Sequence, residues 1–592
     1  MSSRPRNSTL LDALIAALLA LAALVALTGG FEIAIGSLTL KSHSTWRVLA
    51  IALIPIGIRL WQVRRAARPA LSEPIGSARS ASDGRVEGSP LRIALLTLIF
   101  LSIGYWFKYL LTTIGGADSY GYVSAARLLA SGRLIETAPI VEWLSSSHRF
   151  ALASPLGWAS AAGGGMSPTY PLGLPALMAM VMTIGGSSAV YYVSPAMSLL
   201  TLWLVFRLAR RWGNEPMALL ATALVAWNPV FLTYAKQPMS DAAATAWLML
   251  AFYLAVDDRN APSDLRRSAL AGVAAGAAFL TRPALIVAVA FIPLLAMRGA
   301  TPFKRMLIAG SGIAVAAMVR LAIQAHVFGN AFTTGYGSTE ILFSWAALPE
   351  NADIYARQSW RALGGLWLVA AGAGAWAMRG PRTIMILALA AAVTLPYLFY
   401  IPFDHWETLR FLLPGLVPLT ILVAAGVTTL AGAIRVPAAT ATLVKATAPG
   451  GIAIILFAGA FAVRSERLMR ESSVWDIQNL EARYPLVGQW FQVNTPPNSV
   501  ALASQHSGSL RWYGERQTLR WDLLEPDELI PTVRELEAHG AVVYAALEGT
   551  EQPAFDAKFS KELAQLSVDA MGRVRNVSFL RLKTISDPSG NR

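Results

Sequence analysis

The 592-residue chain contains no cysteine and few charged residues. Without cysteine the protein can form no disulfide, and it has neither a thiol nucleophile nor a cysteine-ligated metal site. Only 14% of the residues are charged, whereas 55% are hydrophobic. So few charges cannot cover the surface of an ordinary water-soluble protein of this size. The composition therefore predicts that most of the chain lies in a lipid bilayer.

Long apolar runs account for the excess of hydrophobic residues. Many of them approach the ~20 residues that a helix needs to cross a bilayer. We expect about thirteen transmembrane spans, of which two lie within residues 1–63 and the third is Ile93–Leu111. The other ten are expected near residues 190–207, 217–234, 242–256, 270–280, 284–297, 306–321, 363–378, 383–401, 411–433 and 451–463.

The net charge of +14 is concentrated in short basic clusters between the apolar runs, as in the cytoplasmic loops of a multi-pass protein. This placement argues against a nucleic-acid partner. If the N-terminus is cytoplasmic, the clusters all fall inside only when the short apolar segment Leu172–Ile184 is a helix at the membrane surface and not a span. We therefore predict that Leu172–Ile184 is a helix that lies at the membrane surface or re-enters the membrane, in a protein of the cytoplasmic (inner) membrane.

This topology divides the chain into four parts. Two N-terminal transmembrane helices (1–63) precede a cytoplasmic linker (64–92), and a transmembrane module spans 93–464 with a first outer loop at 112–189. Residues 465–592 alternate strand-like and helical patterns, which is typical of a small α/β domain. An odd number of spans places this domain on the extracytoplasmic side. Within it, we expect strands at Val500–Ala503, Leu510–Tyr513, Thr518–Trp521 and Ala541–Leu547 and a helix at Pro526–His539.

Asp118 is the first acidic residue of the outer loop, and it begins a helical pattern that ends at Gly132. One interpretation is that Asp118 caps this helix, since aspartate is favoured at helix starts. The other is that it is a general base, which takes a proton from an acceptor hydroxyl while that hydroxyl attacks a sugar's anomeric carbon. The two roles are compatible, so both stay open.

A second acid, Asp241, follows Ser240 at the expected outer mouth between two spans. It is our second candidate catalytic residue. Asp118 and Asp241 could share a divalent metal ion or the acceptor, although two separated acids are a weaker metal signal than a clustered ligand motif. A divalent metal is the one cofactor that the sequence leaves open.

Arginine suits a phosphate ligand because its planar guanidinium donates several hydrogen bonds. Arg282 interrupts a pair of short spans, and interrupted helices often line a polar cavity. Arg410 ends an outer loop, and Arg320 is the charged residue nearest the interior of a span, where charge is costly. Snorkelling to the interface is the alternative role of these arginines. We also expect substrate contacts from Tyr120, Tyr122, Arg127 and Tyr170.

Five short motifs of the chain occur in a familiar order over residues 93–435. They are Asp118-Ser-Tyr-Gly-Tyr, Tyr170-Pro-Leu-Gly, Ser240-Asp241, Thr281-Arg-Pro and Arg410-Phe-Leu-Leu-Pro. In this respect the chain resembles the bacterial branch of the C-type membrane glycosyltransferases. That branch is related to the dolichyl-phosphate-mannose protein mannosyltransferases and the lipid A aminoarabinose transferases.

The resemblance implies an α-helical polytopic fold with juxtamembrane helices and an inverting glycosyltransferase activity. A sugar would pass from a polyprenyl-phosphate-linked donor to a glycan, lipid or protein acceptor of the envelope, on the outer face of the membrane. Asp118 would match the family's essential first-loop acid. Many relatives carry two adjacent acids there, whereas Ser119 follows Asp118 in this chain.

Two other functions are compatible with the sequence. A transporter or flippase of lipid-linked sugars would also need outer arginines and a polar cavity, but such proteins usually show repeated halves and polar groups near the membrane midplane. We find neither pattern in the sequence. A non-catalytic scaffold for envelope assembly is the third interpretation, because Asp118 is also suited to be a helix cap.

The topology can be tested with a reporter fused after Trp212. We expect a cytoplasmic signal, because the basic cluster Arg207–Arg211 precedes this point and basic loops stay inside. The measurement compares an alkaline phosphatase fusion with a green fluorescent protein fusion at the same residue. A phosphatase-active, non-fluorescent result would mean that Leu172–Ile184 crosses the membrane.

Overall fold

The computed structural model describes the backbone of a short hairpin, β1 (Phe31–Ile35) and β2 (Leu38–Ser42), and then residues 90–256, 264–297, 301–337, 341–433 and 449–585. Apart from this hairpin, the two spans predicted within residues 1–63 lie outside the described residues. The predicted linker 64–92 also lies outside them, except for its last three residues.

Helices form most of residues 90–471. The helices before residue 257 are α1 (Pro90–Lys108), α2 (Asp118–Ala130), α3 (Arg149–Ala153), α4 (Gly173–Gly185), α5 (Val193–Trp212), α6 (Glu215–Ala226), α7 (Pro229–Tyr234) and α8 (Ser240–Ala255). The later ones are α9 (Leu265–Thr281), α10 (Ile286–Ala296), α11 (Pro302–Phe328), α12 (Leu348–Leu363), α13 (Gly365–Met378), α14 (Pro381–Tyr397), α15 (Leu413–Ala433) and α16 (Pro449–Glu471).

Four helical stretches in the described part of the chain are long and apolar enough to cross a membrane. They are Pro90–Lys108, Ser187–Trp212, Pro302–Phe328 and Leu413–Ala433. Six further apolar helices are shorter, with 10–17 residues each. The structure therefore bears out a polytopic membrane protein, while the count of about thirteen spans stays a prediction.

The apolar side chains are distributed as expected for helices in lipid. Nearly every residue of α8 is buried, so this helix lies at the centre of the bundle. On α11, by contrast, Leu307, Val315 and Met318 are exposed. Large exposed apolar surfaces are rare on soluble proteins, and here they mark the surface that faces lipid.

Small residues let neighbouring helices approach each other closely. A Cβ on Gly374 of α13 would lie 1.7 Å from the carbonyl oxygen of Leu422 on α15, and one on Gly426 would lie 2.1 Å from the carbonyl oxygen of Ala370. Without a hydrophobic driving force between helices in lipid, such backbone contacts supply much of the packing. The α13–α15 pair therefore depends on glycine at both positions.

The run at residues 217–234, predicted as one span, is broken into two helices. Helix α6 ends at Ala226, and the side chain of Asn228 accepts hydrogen bonds from the backbone N–H groups of Val230 and Phe231 in the first turn of α7. Asparagine followed by proline is an N-cap followed by a first helical residue. Both halves are buried, so hydropathy alone did not show the break.

Residues 112–189, predicted to be the first outer loop, fold into short elements against the bundle. Strands β3 (Trp158–Ser160) and β4 (Met166–Pro168) pair antiparallel beside α2. The segment predicted to be a surface helix does form a helix, α4, of 13 residues, which is shorter than a span. A Cβ on Gly173 at its start would lie 2.3 Å from the backbone nitrogen of Thr281. This close contact places residues 170–172, which directly precede α4, beside the end of α9.

The C-terminal residues form a five-stranded mixed sheet flanked by helices. The helices are α17 (Ile477–Glu481), α18 (Arg483–Asn494), α19 (Ser507–Trp512), α20 (Leu529–Ala538), α21 (Gln552–Lys558) and α22 (Ser560–Leu563). The strands are β5 (Ser499–Leu502), β6 (Gln517–Leu519), β7 (Val542–Glu548), β8 (Leu566–Val574) and β9 (Val577–Thr584), in the order β6-β5-β7-β9-β8. Strand β5 is parallel to β6 and β7, and the other pairs are antiparallel.

One of the expected strands of this region is wrong. Leu510–Tyr513 lies on α19 and at its end, and the backbone N–H of Leu510 donates to the carbonyl of His506, as in a helix. Its alternation of apolar and polar residues is too short to separate a strand from a single buried helical turn. The extracytoplasmic location of this domain stays a prediction.

The α13–α15 contact can be tested with two glycines of the same helix. We expect Gly374→Val to lower the thermal stability of the detergent-solubilised protein, because overpacking costs about 1–3 kcal/mol. Gly372→Val is the matched control, since a Cβ on Gly372 meets no atom within 4 Å. Equal melting temperatures for the two variants would contradict the packing described here.

Candidate active site

A cavity of about 410 Å³ lies between the first outer loop and the bundle. It collects most of the candidate residues, although they come from five separate segments of the chain. Its charged side chains are Asp118, Asp241, Arg282, Arg320 and Arg410, and its aromatic side chains are Tyr122, Tyr170, Tyr336, Phe343, Tyr397, Tyr400, Phe403, Phe411 and Phe328. The end of α9 at Thr281-Arg282-Pro283 lines this cavity, which confirms the prediction made from the interrupted helix pair.

The carboxylate of Asp118 faces the cavity and does not cap its own helix. The N-cap residue is Ala117, and no side chain caps the first turn. Instead, Oδ1 accepts a hydrogen bond from the Tyr170 hydroxyl at 2.6 Å, and Oδ2 accepts one from the Arg410 guanidinium at 3.3 Å. Asp118 therefore does not form the hydrogen bond that the capping interpretation requires, and that interpretation is wrong. Its negative charge still lies in the first turn of α2, where the helix dipole favours an acidic residue.

Two glycines allow Tyr170 to reach Asp118. A Cβ on Gly121 would lie 2.4 Å from the Tyr170 ring, and Gly157, at φ +89°, could carry no Cβ without meeting the carbonyl oxygen of Ala117 at 2.5 Å. Burial, together with the charge of Asp118, raises the pKa of Tyr170 above its usual range. The phenol therefore stays protonated and donates to the carboxylate.

Asp241 and Arg282 form a buried ion pair deeper in the cavity. A guanidinium nitrogen of Arg282 lies 2.6 Å from Oδ1 of Asp241, and the same nitrogen donates to the Ser240 hydroxyl at 3.2 Å. The Tyr122 hydroxyl donates to Ser240 at 3.0 Å. Oδ2 of Asp241 is buried and has no partner among the described residues. The Asp241 carboxylate therefore interacts mainly with Arg282.

Arg282 and Arg410 belong to one hydrogen-bonded chain. The other terminal nitrogen of Arg282 donates to the backbone carbonyl of Arg410 at 3.2 Å. Arg410 itself uses one of its five donors, on Asp118, and lies over the rings of Tyr234 and Phe411 at 5.5 and 5.0 Å. These two arginines therefore do not snorkel to the surface. Arg410 keeps the larger number of donors for a ligand.

Two predicted substrate contacts lie elsewhere. Tyr120 and Arg127 line a second cavity on the other side of α2, and the structure does not bring them together with Asp118. Conversely, sequence reasoning missed Tyr336 and Tyr397, which reach the main cavity from the loop after α11 and from the end of α14. Only the aromatic richness of these outer segments could have indicated them.

The described residues contain no group of three or more histidine, aspartate or glutamate side chains that could hold a metal ion. At the position where many relatives have a second acid, the hydroxyl of Ser119 donates to the carbonyl of Gly115 at 2.7 Å and accepts from its N–H at 3.0 Å. Ser119 therefore stabilises the turn before α2. A divalent ion would have to compete with arginine at both Asp118 and Asp241.

The C-terminal region contacts the turn that precedes Asp118. The Tyr513 hydroxyl accepts a hydrogen bond from the N–H of Ile114 at 2.9 Å. The ring of Tyr484 lies so close to Gly115 that a Cβ there would come within 2.0 Å of it. Gly116 has a φ of +59°, in the region that glycine favours. The backbone before α2 is thus held from the side opposite the bundle.

Comparison with known proteins agrees with this architecture. Residues 169–325 match the family model of dolichyl-phosphate-mannose-protein mannosyltransferases. ArnT from Cupriavidus metallidurans is similar in structure in the apo state, with a TM-score of 0.51, 12% sequence identity and coverage of 82% of this chain and 97% of that one. The same protein bound to undecaprenyl phosphate matches with a TM-score of 0.51, 12% identity and coverage of 84% and 99%.

The oligosaccharyltransferase of Archaeoglobus fulgidus in the apo form matches more weakly, with a TM-score of 0.47, 11% identity and coverage of 80% and 73%. No curated protein sequence matches the chain. At 12% sequence identity, the similarity to the ArnT structures shows a shared fold and does not by itself show a shared function. The resemblance to the C-type membrane glycosyltransferases is confirmed, since the chain shares their fold and a quarter of it matches the mannosyltransferase model.

The buried Asp241–Arg282 pair generates a stability prediction. We expect Arg282→Met to cost about 3–5 kcal/mol, because it leaves the Asp241 carboxylate buried and unpaired. The double variant Arg282→Met/Asp241→Asn should recover most of the lost melting temperature in detergent. Arg467→Met is the control for charge removal at an exposed pair with Glu471, and it should leave the melting temperature essentially unchanged. No recovery in the double variant would contradict the pairing.

Proposed function

We propose that the protein is a glycosyltransferase that moves a sugar from a polyprenyl-phosphate-linked donor to an envelope acceptor on the outer face of the cytoplasmic membrane. The observation that carries this proposal is the Asp118 carboxylate, which Tyr170 and Arg410 orient at the wall of a cavity that also holds Arg282. The fold shared with ArnT, solved in complex with undecaprenyl phosphate, supports the class of donor.

Asp118 is the general base in this proposal. Its side chain is 35% exposed, so a substrate hydroxyl can reach it. Each carboxylate oxygen has two acceptor sites, and Tyr170 and Arg410 occupy one on each oxygen. The remaining sites can accept the proton of an acceptor hydroxyl, whose oxygen then attacks the anomeric carbon of the donor.

Arg410 and Arg282 would stabilise the leaving group. As the new bond to the anomeric carbon forms, the bond from that carbon to the donor's phosphate oxygen breaks, and the electron pair leaves with the phosphate. A single displacement of this kind inverts the configuration at the anomeric carbon. The developing charge on phosphate is favoured by guanidinium groups that are already in place before the reaction. Arg410, four of whose donors have no acceptor among the described residues, is the main contact.

The charges of the cavity fit a donor with one phosphate. Three arginines, Arg282, Arg320 and Arg410, stand against the carboxylates of Asp118 and Asp241, which leaves one excess positive charge. A sugar joined to a lipid through a single phosphate carries one negative charge, so its binding neutralises the cavity. Burying charges without such compensation is costly. The aromatic walls around Tyr336 and Tyr400 suit the sugar ring and the start of the lipid.

Sugar transfer by Asp118→Asn tests the base. We expect a loss of about a hundredfold or more, because the amide keeps the size of the side chain but cannot take a proton. The assay measures transfer from a pool of radiolabelled polyprenyl-phosphate sugars in membranes that contain equal amounts of wild type and variant.

Asp527→Asn, at an exposed position of the C-terminal region, is the matched control and should keep full activity. Transfer by Asp118→Asn at the wild-type rate would remove Asp118 from the catalytic role. Absence of transfer by the wild type with a complete donor pool would favour a transporter or a scaffold.

A further inference from the structure

A second cavity, of about 530 Å³, lies between α2, the β3–β4 hairpin and the C-terminal region. Its size is within the ~300–1,000 Å³ of small-ligand sites. Most of the side chains that line it are polar or charged, in contrast to the aromatic main cavity. They are Tyr120, Ser124, Arg127, Ser131, Arg133, Glu136, Trp158, Arg511, Trp512, Glu515, Arg516 and Gln517, with Leu128 and Met166.

Helix α2 separates the two cavities. Tyr122 lines the main cavity and Tyr120 the second one. Two residues apart on a helix are about 200° apart around its axis, so these side chains point to opposite faces. The helix that presents Asp118 to the main cavity at its first residue therefore forms a wall of the second cavity along its length. A ligand there would lie one helix width from the proposed reaction centre.

Two of the four arginines in the second cavity belong to the framework. The Arg511 guanidinium donates to the carbonyl of Ala153 at 2.6 Å and to Thr518 at 2.8 and 3.1 Å. Arg516 donates to five backbone carbonyls, including that of Thr495 at 3.1 Å. Both arginines keep their positive charge at the cavity wall, but these hydrogen bonds already use most of their N–H donors.

The other two arginines have donors available for a ligand. Arg127 is exposed and contacts the Trp512 ring at 5.3 Å, with no hydrogen bond or ion pair to another described residue. Arg133 is exposed, and its hydrogen bond to a described residue is from Nε to Ser131 at 3.1 Å. Both guanidinium groups thus keep terminal N–H groups that suit a carboxylate or a phosphate.

The remaining lining is typical of a saccharide site. Trp512 is the more accessible of the two indoles that line the cavity, whereas Trp158 is 7% exposed and is fixed by its hydrogen bond to Ser124 at 2.9 Å. Aromatic faces contact the apolar C–H faces of sugar rings. Glu136 and Glu515 can accept hydrogen bonds from sugar hydroxyls, and they leave two excess positive charges against the four arginines.

We propose that this second cavity binds a saccharide that carries a carboxylate or phosphate group, through Arg127 and Arg133. We assign this saccharide as part of the sugar acceptor, because an anionic glycan bound in the second cavity could present a hydroxyl past α2 to Asp118. This assignment rests on the proposed glycosyltransferase function. The binding itself does not depend on catalysis. An anionic lipid headgroup fits less well, since aromatic and carboxylate groups share the cavity with the arginines.

The test is equilibrium binding to the full-length protein in phosphatidylcholine nanodiscs. The probes are tetragalacturonate for the carboxylate, a phosphorylated maltotetraose for the phosphate, and maltotetraose as the neutral sugar. We expect at least one anionic probe to bind more than tenfold more tightly than maltotetraose. In Arg127→Gln/Arg133→Gln that affinity should fall at least tenfold, whereas Arg127→Lys/Arg133→Lys should retain part of it.

Arg573→Gln/Lys583→Gln is the matched control, since it removes the same charge from exposed positions on β8 and β9 and should bind normally. Asp118→Asn should also bind normally, so a failure of the transfer assay would remain distinguishable from a failure here. Equal binding of neutral and anionic probes would overturn the proposal. An equal loss of probe binding in the control variant would also overturn the proposal. Displacement of the probe by phosphatidylglycerol, but not by free sugar acid, would overturn it as well.

Discussion

The contact between Asp118 and Arg410 holds the candidate site together. It joins residues 292 positions apart, at the start of α2 and in the turn before α15. Through the carbonyl of Arg410 it continues to Arg282, and from there to Asp241 on the buried helix α8. Asp241 and Arg282 are almost fully buried, and charges in such a place are tolerated only when they are paired. Residues 112–189 are therefore joined to the buried helix α8 by two ion pairs and the hydrogen bond between them, in addition to packing.

The same arrangement explains why the outer loop needs glycine and serine at defined positions. Gly121 and Gly157 make room for Tyr170 to reach Asp118, and Ser119 closes the turn that points the carboxylate inward. From the other side, Tyr484 and Tyr513 of the C-terminal region hold the backbone before α2. Most residues of α2 are buried against its neighbours, and a short helix is marginal without such packing, so its orientation depends on them.

Much of the fold could be predicted from the sequence, because hydropathy and the positions of basic residues report directly on lipid and water. A helix at residues 172–184 and the break at Arg282 were predicted in this way, and both are present, while the position of the helix at the membrane surface stays a prediction. The break at Asn228 and the helix at Leu510 were missed, since short buried segments have no clear period. For the site, motif order identified Asp118, Asp241, Arg282 and Arg410, but it did not predict which carboxylate each arginine would pair with. Those pairings depend on side-chain distances between residues 41 and 292 positions apart in the chain.

Tyr120 and Arg127 illustrate the limit of treating a motif and the helix that carries it as one unit. Tyr120 stands in the same motif as Asp118 and Tyr122, and Arg127 on the same helix, yet the helical turn directs both to a different cavity. A helix of 13 residues with ligand-sized cavities on two faces can couple them mechanically, because any shift of its axis moves both walls. In the proposed reaction, the position of Asp118 would then depend on what fills the cavity behind it. The C-terminal region, which forms the far wall of that cavity and also holds the turn before α2, is consequently part of the candidate site.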